Sequence, residues 1–343
     1  MKRLLNTLYV TSEGAWVRKD GQNVVVEIDG AERGRAPIHL LGQIVCCAEA
    51  GVSAPLMGFC ASQGVTVAFL DRAGRCLARV EGPQRGNVLL RRAQHAATLG
   101  DARLPVARAV VAAKAANQRG VVRRVLRDHA ASMTEEARNA LDGAERRLGD
   151  VARLALECPG IEALRGHEGD GAAAYFGVFG HMIRHEGFGF AGRSRRPPRD
   201  PVNAVLSFLY ALLALDCRAA CEIHGLDPQM GFLHADRPGR MSLALDLMEE
   251  FRAPIADRVC LSLFNRRQLR PGDFLHEETG AVLLSDDGRA TVITAWQERK
   301  RETLRHVWFD ETVPIGLMPQ LQAQLLARHL RSEIDGYPPW FWR

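Results

Sequence analysis

The chain has 343 residues, 47% of them apolar and 25% charged, enough to bury a sizeable core in one or two domains. A disordered or collagen-like chain is thereby excluded. The formal net charge of +5 names no partner, but 41 arginines stand against only four lysines, Lys2, Lys19, Lys114 and Lys300. Arginine's planar fork suits phosphate, although a codon bias would give the same count. The eight cysteines, at 46, 47, 60, 76, 158, 217, 221 and 260, form no CxxC pair and are too sparse for a disulfide scaffold, which points to reduced thiols and a cytoplasmic compartment. The longest nearly unbroken apolar run, Val205 to Leu215, covers eleven residues, against about 20 needed to cross a bilayer. No membrane span is expected.

The opening Met1 to Val10 begins like a signal peptide, but Asn6 and Thr7 break its apolar run and no small-residue cleavage site follows, so it reads as a first β-strand. Ala15 to Lys19 and Val24 to Ile28 flank an Asp20-Gly21 turn and predict a hairpin. Strand character continues over Ile38 to Cys47. Ser53 and Pro55 open a short helix ending at Gly64, and Val65 to Leu70 returns to strand before an Asp71 to Gly74 turn. The stretch Glu81-Gly82-Pro83-Gln84-Arg85-Gly86 interrupts all periodicity. Beyond it, alanine, leucine and arginine at helical spacing predict helices over 87–99, 103–129, 134–157, 167–186, 202–224 and 242–252. A small hairpin is expected within Phe274 to Thr294, around Asp286-Asp287-Gly288, and a last helix over Met318 to Arg331. The expectation is an α+β protein: a mainly β N-terminal domain over 1–82, a linker with the first helix over 83–101, and a larger all-α domain over 102–343.

Three segments carry candidate chemistry. In Gly231 to Phe251, Ser242 is a plausible N-cap and Pro254 a stop. Leu243, Leu247 and Phe251 make a buried stripe, with Asp246 and Glu249 on its flank and His234 just before the helix. Adjacent carboxylates call for a neutralising cation or proton, and imidazole with oxygen ligands suits Mn²⁺ or Mg²⁺. A solvated helix face with a loop histidine is the plainer alternative, and this segment alone favours it. In Leu164 to Phe176, Glu168 follows a glycine turn and starts a helix rich in Gly and Ala, where another backbone or a ligand can come close; a capping role would need no ligand. His167 and Asp170 there read as solvent-facing or supporting. The third segment, Arg193 to Asn203, sets Arg193, Arg195, Arg196 and Arg199 among three prolines, a stiff cationic loop. Each phosphate so neutralised adds about 0.9 to the salt slope of duplex binding. The helical cluster Arg119, Arg123, Arg124 and Arg127 reads instead as solubilising charge, and Cys217 with Cys221, lacking paired histidines, as core. No Walker A loop or GxGxxG follows a strand, which counts against a nucleotide-driven motor or a dehydrogenase.

Taken together, Pro55-Leu56-Met57-Gly58-Phe59-Cys60, Arg165-Gly166-His167-Glu168-Gly169, Arg196 to Asn203, Gly231 to Pro254 and Tyr337-Pro338-Pro339 resemble, in order and nearly end to end, the CRISPR-associated spacer-acquisition integrase, a metal-dependent DNA endonuclease, and its type I-C branch most. The resemblance implies an N-terminal β domain joined to a helical catalytic domain, and a homodimer assembled with a small ferredoxin-like adaptation protein on double-stranded DNA, both spacer precursor and repeat. It implies Mg²⁺ or Mn²⁺ held by Glu168, His234 and Glu249, with Asp246 a further acidic member of the catalytic group; in some branches aspartate stands at the position of Glu249. Arg237 and Arg240 join Arg193, Arg195, Arg196 and Arg199 as candidate DNA contacts. A non-catalytic DNA-binding scaffold and a general metallonuclease are the competing functions.

Overall fold

A computed structural model describes residues 6–82 and 87–342. Positions 1–5 of the expected first strand and 83–86 of the expected break lie outside them. The chain starts with β1 (Asn6–Val10), β2 (Trp16–Asp20), β3 (Asn23–Ile28), β4 (Ala31–Pro37), β5 (Leu41–Cys46), β6 (Gly51–Val52), α1 (Ala54–Gln63), β7 (Thr66–Leu70) and β8 (Cys76–Val80). These strands form two four-stranded sheets, ordered β1-β5-β7-β8 and β4-β3-β2-β6. The predicted hairpin is β2 paired with β3, Asp20 opposite Asn23. Strand character begins at Leu41 rather than Ile38, because Ile38–Leu40 makes a 3₁₀ turn after Pro37. The expected caps of α1 are present: the Ser53 side chain accepts from the Leu56 N–H, and Gly64 ends the helix at φ +73°.

Alternation along β5 divides its residues between two cores. Ile44 and Cys46 join Val17, Val24, Leu56, Cys60 and Val67 in a small core, whereas Val45, with Cys47 and Leu70, faces the large helical core. Polar contacts fasten this face: Arg79 makes two bonds to Glu222, at 2.8 and 2.7 Å, and the Thr7 carbonyl accepts from Gln297.

The second part comprises α2 (Val88–Leu99), α3 (Arg103–His129), α4 (Glu135–Glu157), α5 (Ile161–Gly177), α6 (Pro201–Ile223), α7 (Ser242–Glu249) and α8 (Arg258–Asn265). Then follow β9 (Phe274–His276), β10 (Val282–Leu284), α9 (Asp286–Arg301), β11 (Thr303–His306), β12 (Glu311–Pro314) and α10 (Met318–Leu330). The α+β architecture is as expected, and the hairpin expected within Phe274 to Thr294 is β9 with β10; a second, β11 with β12, is not expected from the sequence, and the two interrupt an otherwise helical domain. Asp286-Asp287-Gly288 is not a hairpin turn: Ser285 caps the helix that those residues begin, and the aspartates favour a helix N-terminus. α6 is long and apolar enough to cross a membrane, contrary to the reading of its eleven-residue run, but 67% of its apolar window is buried inside the protein. It serves as a core helix.

Candidate metal and nucleic-acid site

The long helix α3 packs against α4, α5 and α7, so side chains from three distant parts of the chain meet along its flank. Glu168 arrives on α5. Contrary to the expected start at 167, this helix begins at Ile161, after the Pro159-Gly160 break, and Gly166 and Gly169 lie inside it. Glu168 therefore stands two turns into the helix, and the capping alternative falls. Close approach does occur at Gly171, where a Cβ would lie 3.2 Å from Val151 of α4. His167 is half-buried and Asp170 pairs with Arg147 at 2.7 Å.

His234 is held by a dense set of bonds. Asp246 Oδ2 accepts the backbone N–H groups of Phe232 (2.5 Å) and Leu233 (3.0 Å), and its Oδ1 accepts that of His234 (3.0 Å). The same Oδ1 lies 2.6 Å from His234 Nδ1. Arg165 of α5 donates twice to the Leu233 carbonyl, and Arg103 of α3 to that of Phe232. Gly231 permits this wrapping: a Cβ there would sit 2.8 Å from Asp246 Oδ2 and 2.7 Å from Ser242 Cβ. Asp246, expected in the catalytic group, spends its oxygens on this loop. Asp246 Oδ1 so placed orients the His234 ring, favouring the proton on Nδ1 and leaving the lone pair on Nε2.

Ser242 is not the N-cap. It is the first residue of α7, and its hydroxyl donates to the Ala235 carbonyl. Nor does Pro254 stop the chain, which continues through a wide π turn, Arg252–Asp257, into α8. That turn lies where Pro254 has no N–H to donate. Leu243, Leu247 and Phe251 are buried as expected, but so are Asp246 and Glu249, which rules out the solvated-face alternative.

Glu249 Oε1 lies 3.8 Å from His234 Nε2 and 3.2 Å from Arg252 Nη2. Its Oε2 lies 2.8 Å from Lys114 Nζ, and the same ammonium is bonded to Glu168 Oε1. Burial pushes the Glu249 carboxyl up, but Arg252, Lys114 and His234 together overcome it and hold the group well below the ordinary carboxylate range. The Lys114 ammonium thus bridges Glu168 and Glu249, and His234 stands on the far side of Glu249, its Nε2 facing the oxygen that the lysine does not touch. Among the described residues, no three His, Cys, Asp or Glu side chains converge into a ready ion cluster. The donor chemistry nevertheless fits a hard divalent cation: two carboxylates and an imidazole backed by a carboxylate.

Lys114 and Arg252 went unread in the sequence. The available signal for Lys114 was a lysine between alanines in the middle of an apolar helix. Arg252, three residues after Glu249, stacks on Tyr210 at 5.0 Å.

Arg237 is exposed and Arg240 half-buried beside His234. Partial burial first, then the neighbouring charges of Arg237, Arg165 and Arg196, lower the Arg240 pKa, so the proline-rich loop and the His234 turn share one positive field. Arg195, Arg196 and Arg199 are exposed. Arg193, expected with them, turns inward to Asn203 and Ser207 and lies over Tyr210; it braces the loop. The α3 arginines are ion-paired, Arg119 and Arg123 to Glu145, Arg124 and Arg127 to Asp128. Cys217 and Cys221 are buried free thiols.

The model of the family described as CRISPR associated protein Cas1 matches residues 8–298. The chain belongs to the Cas1 family. It is 54% identical over 346 residues, spanning the whole of both chains, to "CRISPR-associated endonuclease Cas1 2" of Rhodospirillum rubrum. In fold it is similar to a casposase bound to integration product, at a TM-score of 0.83 and 21% identity over 99% of this chain and 95% of the other. It is also similar to a chain of a Cas6-RT-Cas1–Cas2 complex, again with a TM-score of 0.83 and 21% identity, covering 99% of this Cas1-family chain and 36% of that one.

Proposed function

We propose that the chain is a metal-dependent DNA endonuclease and integrase that inserts spacer DNA into a CRISPR array. The observation that carries this reading is the Lys114 ammonium shared by Glu168 and Glu249, with His234 Nε2 3.8 Å from the other oxygen of Glu249, on a chain whose Arg195, Arg196, Arg199 and Arg237 are exposed and have no ion pair among the described residues. A Mg²⁺ or Mn²⁺ ion held by Glu168, His234 and Glu249 would supply Lewis-acid stabilisation of charge developing on a phosphate oxygen. His234, oriented by Asp246, would offer its Nε2 lone pair to the ion. Arg196, Arg237 and Arg240 would hold duplex phosphates, with Arg195 and Arg199 extending the track. A 3′-hydroxyl of the incoming fragment forms the new phosphorus–oxygen bond as the 3′ oxygen of the repeat leaves; water in its place gives nuclease activity. Phosphate contacts carry no direct sequence information, so the choice of site would come from DNA shape or partners.

The reading extends to assembly. A homodimer with a small ferredoxin-like adaptation protein is supported by the fold shared with a chain from a Cas1–Cas2 complex. Residues 1–82 would serve dimer and partner contacts, 83–101 the link, and 102–343 catalysis. The type I-C assignment rests on the motifs quoted above, and a cytoplasmic location on the reduced thiols.

The test mixes purified protein, with and without its small partner, with a short duplex bearing free 3′-hydroxyls and a supercoiled plasmid carrying the repeat. Joined product that requires Mg²⁺ or Mn²⁺ and disappears in Glu168→Ala and His234→Ala, with DNA affinity nearly kept, is the expected result. Unchanged product in those variants would point to a scaffold, and processive degradation without joining to a general metallonuclease.

A further inference from the structure

Lys114 is an unusual occupant of its position. Its side chain is 7% exposed, and it rises from a helix segment whose neighbours Ala112, Ala113 and Ala115 are buried. A lysine is buried only at a large desolvation cost unless paired, and here the partners are two acids from different helices, Glu168 of α5 and Glu249 of α7. Facing each other without a cation, those carboxylates would repel. One ammonium serves both: it is hydrogen-bonded to Glu168 and lies 2.8 Å from Glu249 Oε2. The second oxygen of Glu249 already faces Arg252.

We propose that Lys114 is an internal counter-ion that closes the site when no metal is bound and must be displaced for a divalent cation to enter. This rests on the metal reading above. A divalent ion held by Glu168 and Glu249 would compete with the ammonium for the same two carboxylates, and two cations packed against them at contact distance would repel. Lysine suits such a part, being a point charge on a flexible four-carbon stem that can withdraw without moving the helix. The lysine would keep α5 and α7 in register in the empty protein and hold the metal affinity below what two acids and an imidazole alone would give. Arg252, anchored over Tyr210, stays in place and keeps Glu249 ionised in both states.

Two measurements test it. Metal-free wild-type protein, His234→Ala and Lys114→Met are titrated with Mn²⁺, counting free ion by electron paramagnetic resonance. Lys114→Met is expected to bind at least tenfold more tightly than wild type, with a lower melting temperature without metal and a larger rise on adding it. In wild type itself, reductive methylation followed by peptide mass spectrometry should show Lys114 protected without metal and labelled several-fold more with saturating Mn²⁺. Binding to wild type that is lost in His234→Ala, but is no tighter in Lys114→Met, would overturn the counter-ion role while leaving the metal site standing. Unchanged Lys114 labelling in wild-type protein that binds Mn²⁺ would overturn it too. Absence of any binding dependent on His234 would instead sink the metal reading.

Discussion

Glu249 and Glu250 are adjacent in sequence, both fully buried, and held in opposite ways. Glu249 sits among Arg252, Lys114 and His234 and stays strongly ionised. Glu250 points to the other side, where Tyr337, Gln322 and the Trp340 N–H donate to it and no cation pairs with it among the described residues; burial raises its pKa to about 7 against those weaker hydrogen bonds. Desolvation is common to the two, so neighbouring charge decides between them. The site side is built to keep negative charge on offer, whereas the tail side uses a carboxyl as a hydrogen-bonding hub. That hub locks Tyr337-Pro338-Pro339, the terminal motif, to the residue beside a candidate ligand. Asn117 of α3, one turn after Lys114, completes the lock by donating to the Glu250 and Trp340 carbonyls.

The contrast breaks most sharply under paired substitutions. Glu249→Gln leaves Lys114 and Arg252 without their shared anion, and removing one partner of a buried ion pair costs about 3–5 kcal/mol. Glu250→Gln keeps an oxygen to accept from the Trp340 N–H, breaks no ion pair and takes an acceptor only from the Tyr337 hydroxyl, so the change should stay near one hydrogen bond, about 1 kcal/mol. Urea unfolding at pH 7 checks both, and equal losses would erase the distinction. A smaller effect lies at Asp257, where no carboxylate ligand is involved. Its Oδ1 accepts from Tyr210, and burial, against hydrogen bonds from Tyr210 and Tyr175, raises it from 3.8 to about 6. Between those values the folded chain keeps a proton that the unfolded chain has released, so stability falls as pH rises across the window and levels off above it. Asp257→Asn should remove a decline on the order of 1–3 kcal/mol, read as the difference in melting temperature between wild type and variant from pH 4 to 7. A constant difference would show that Asp257 is ionised in both states.

What the sequence disclosed follows the distance over which each feature is built. The Gly231 to Glu249 half of the site lies within one loop and one helix, so periodicity and turn chemistry placed His234 beside its acids. Glu168 is a candidate reached on the wrong local structure, because Gly166 and Gly169 read as a turn when Leu164, Gly171 and Tyr175 packing on α4 and α3 overrides their weak helix propensity. Lys114 was illegible for a different reason: nothing within α3 tells whether a lone lysine among alanines reaches water or two acids more than fifty residues away. Arg193 failed likewise, since proline stiffness speaks for the loop and not for the direction of each guanidinium. The sheets and α1 were the easiest to read, their hairpin and caps being specified by Gly21, Ser53 and Gly64 alone.

Convergence of Glu168, His234 and Glu249 on one ion can be read without DNA. Fe²⁺, which shares imidazole and carboxylate ligands with Mn²⁺, is loaded into the protein, and ascorbate with peroxide then cleaves the backbone near the bound metal. Fragments ending close to positions 168, 234 and 249 together, suppressed by excess Mn²⁺ and absent in His234→Ala, are the predicted pattern. Cleavage at other positions that survives in His234→Ala would contradict it.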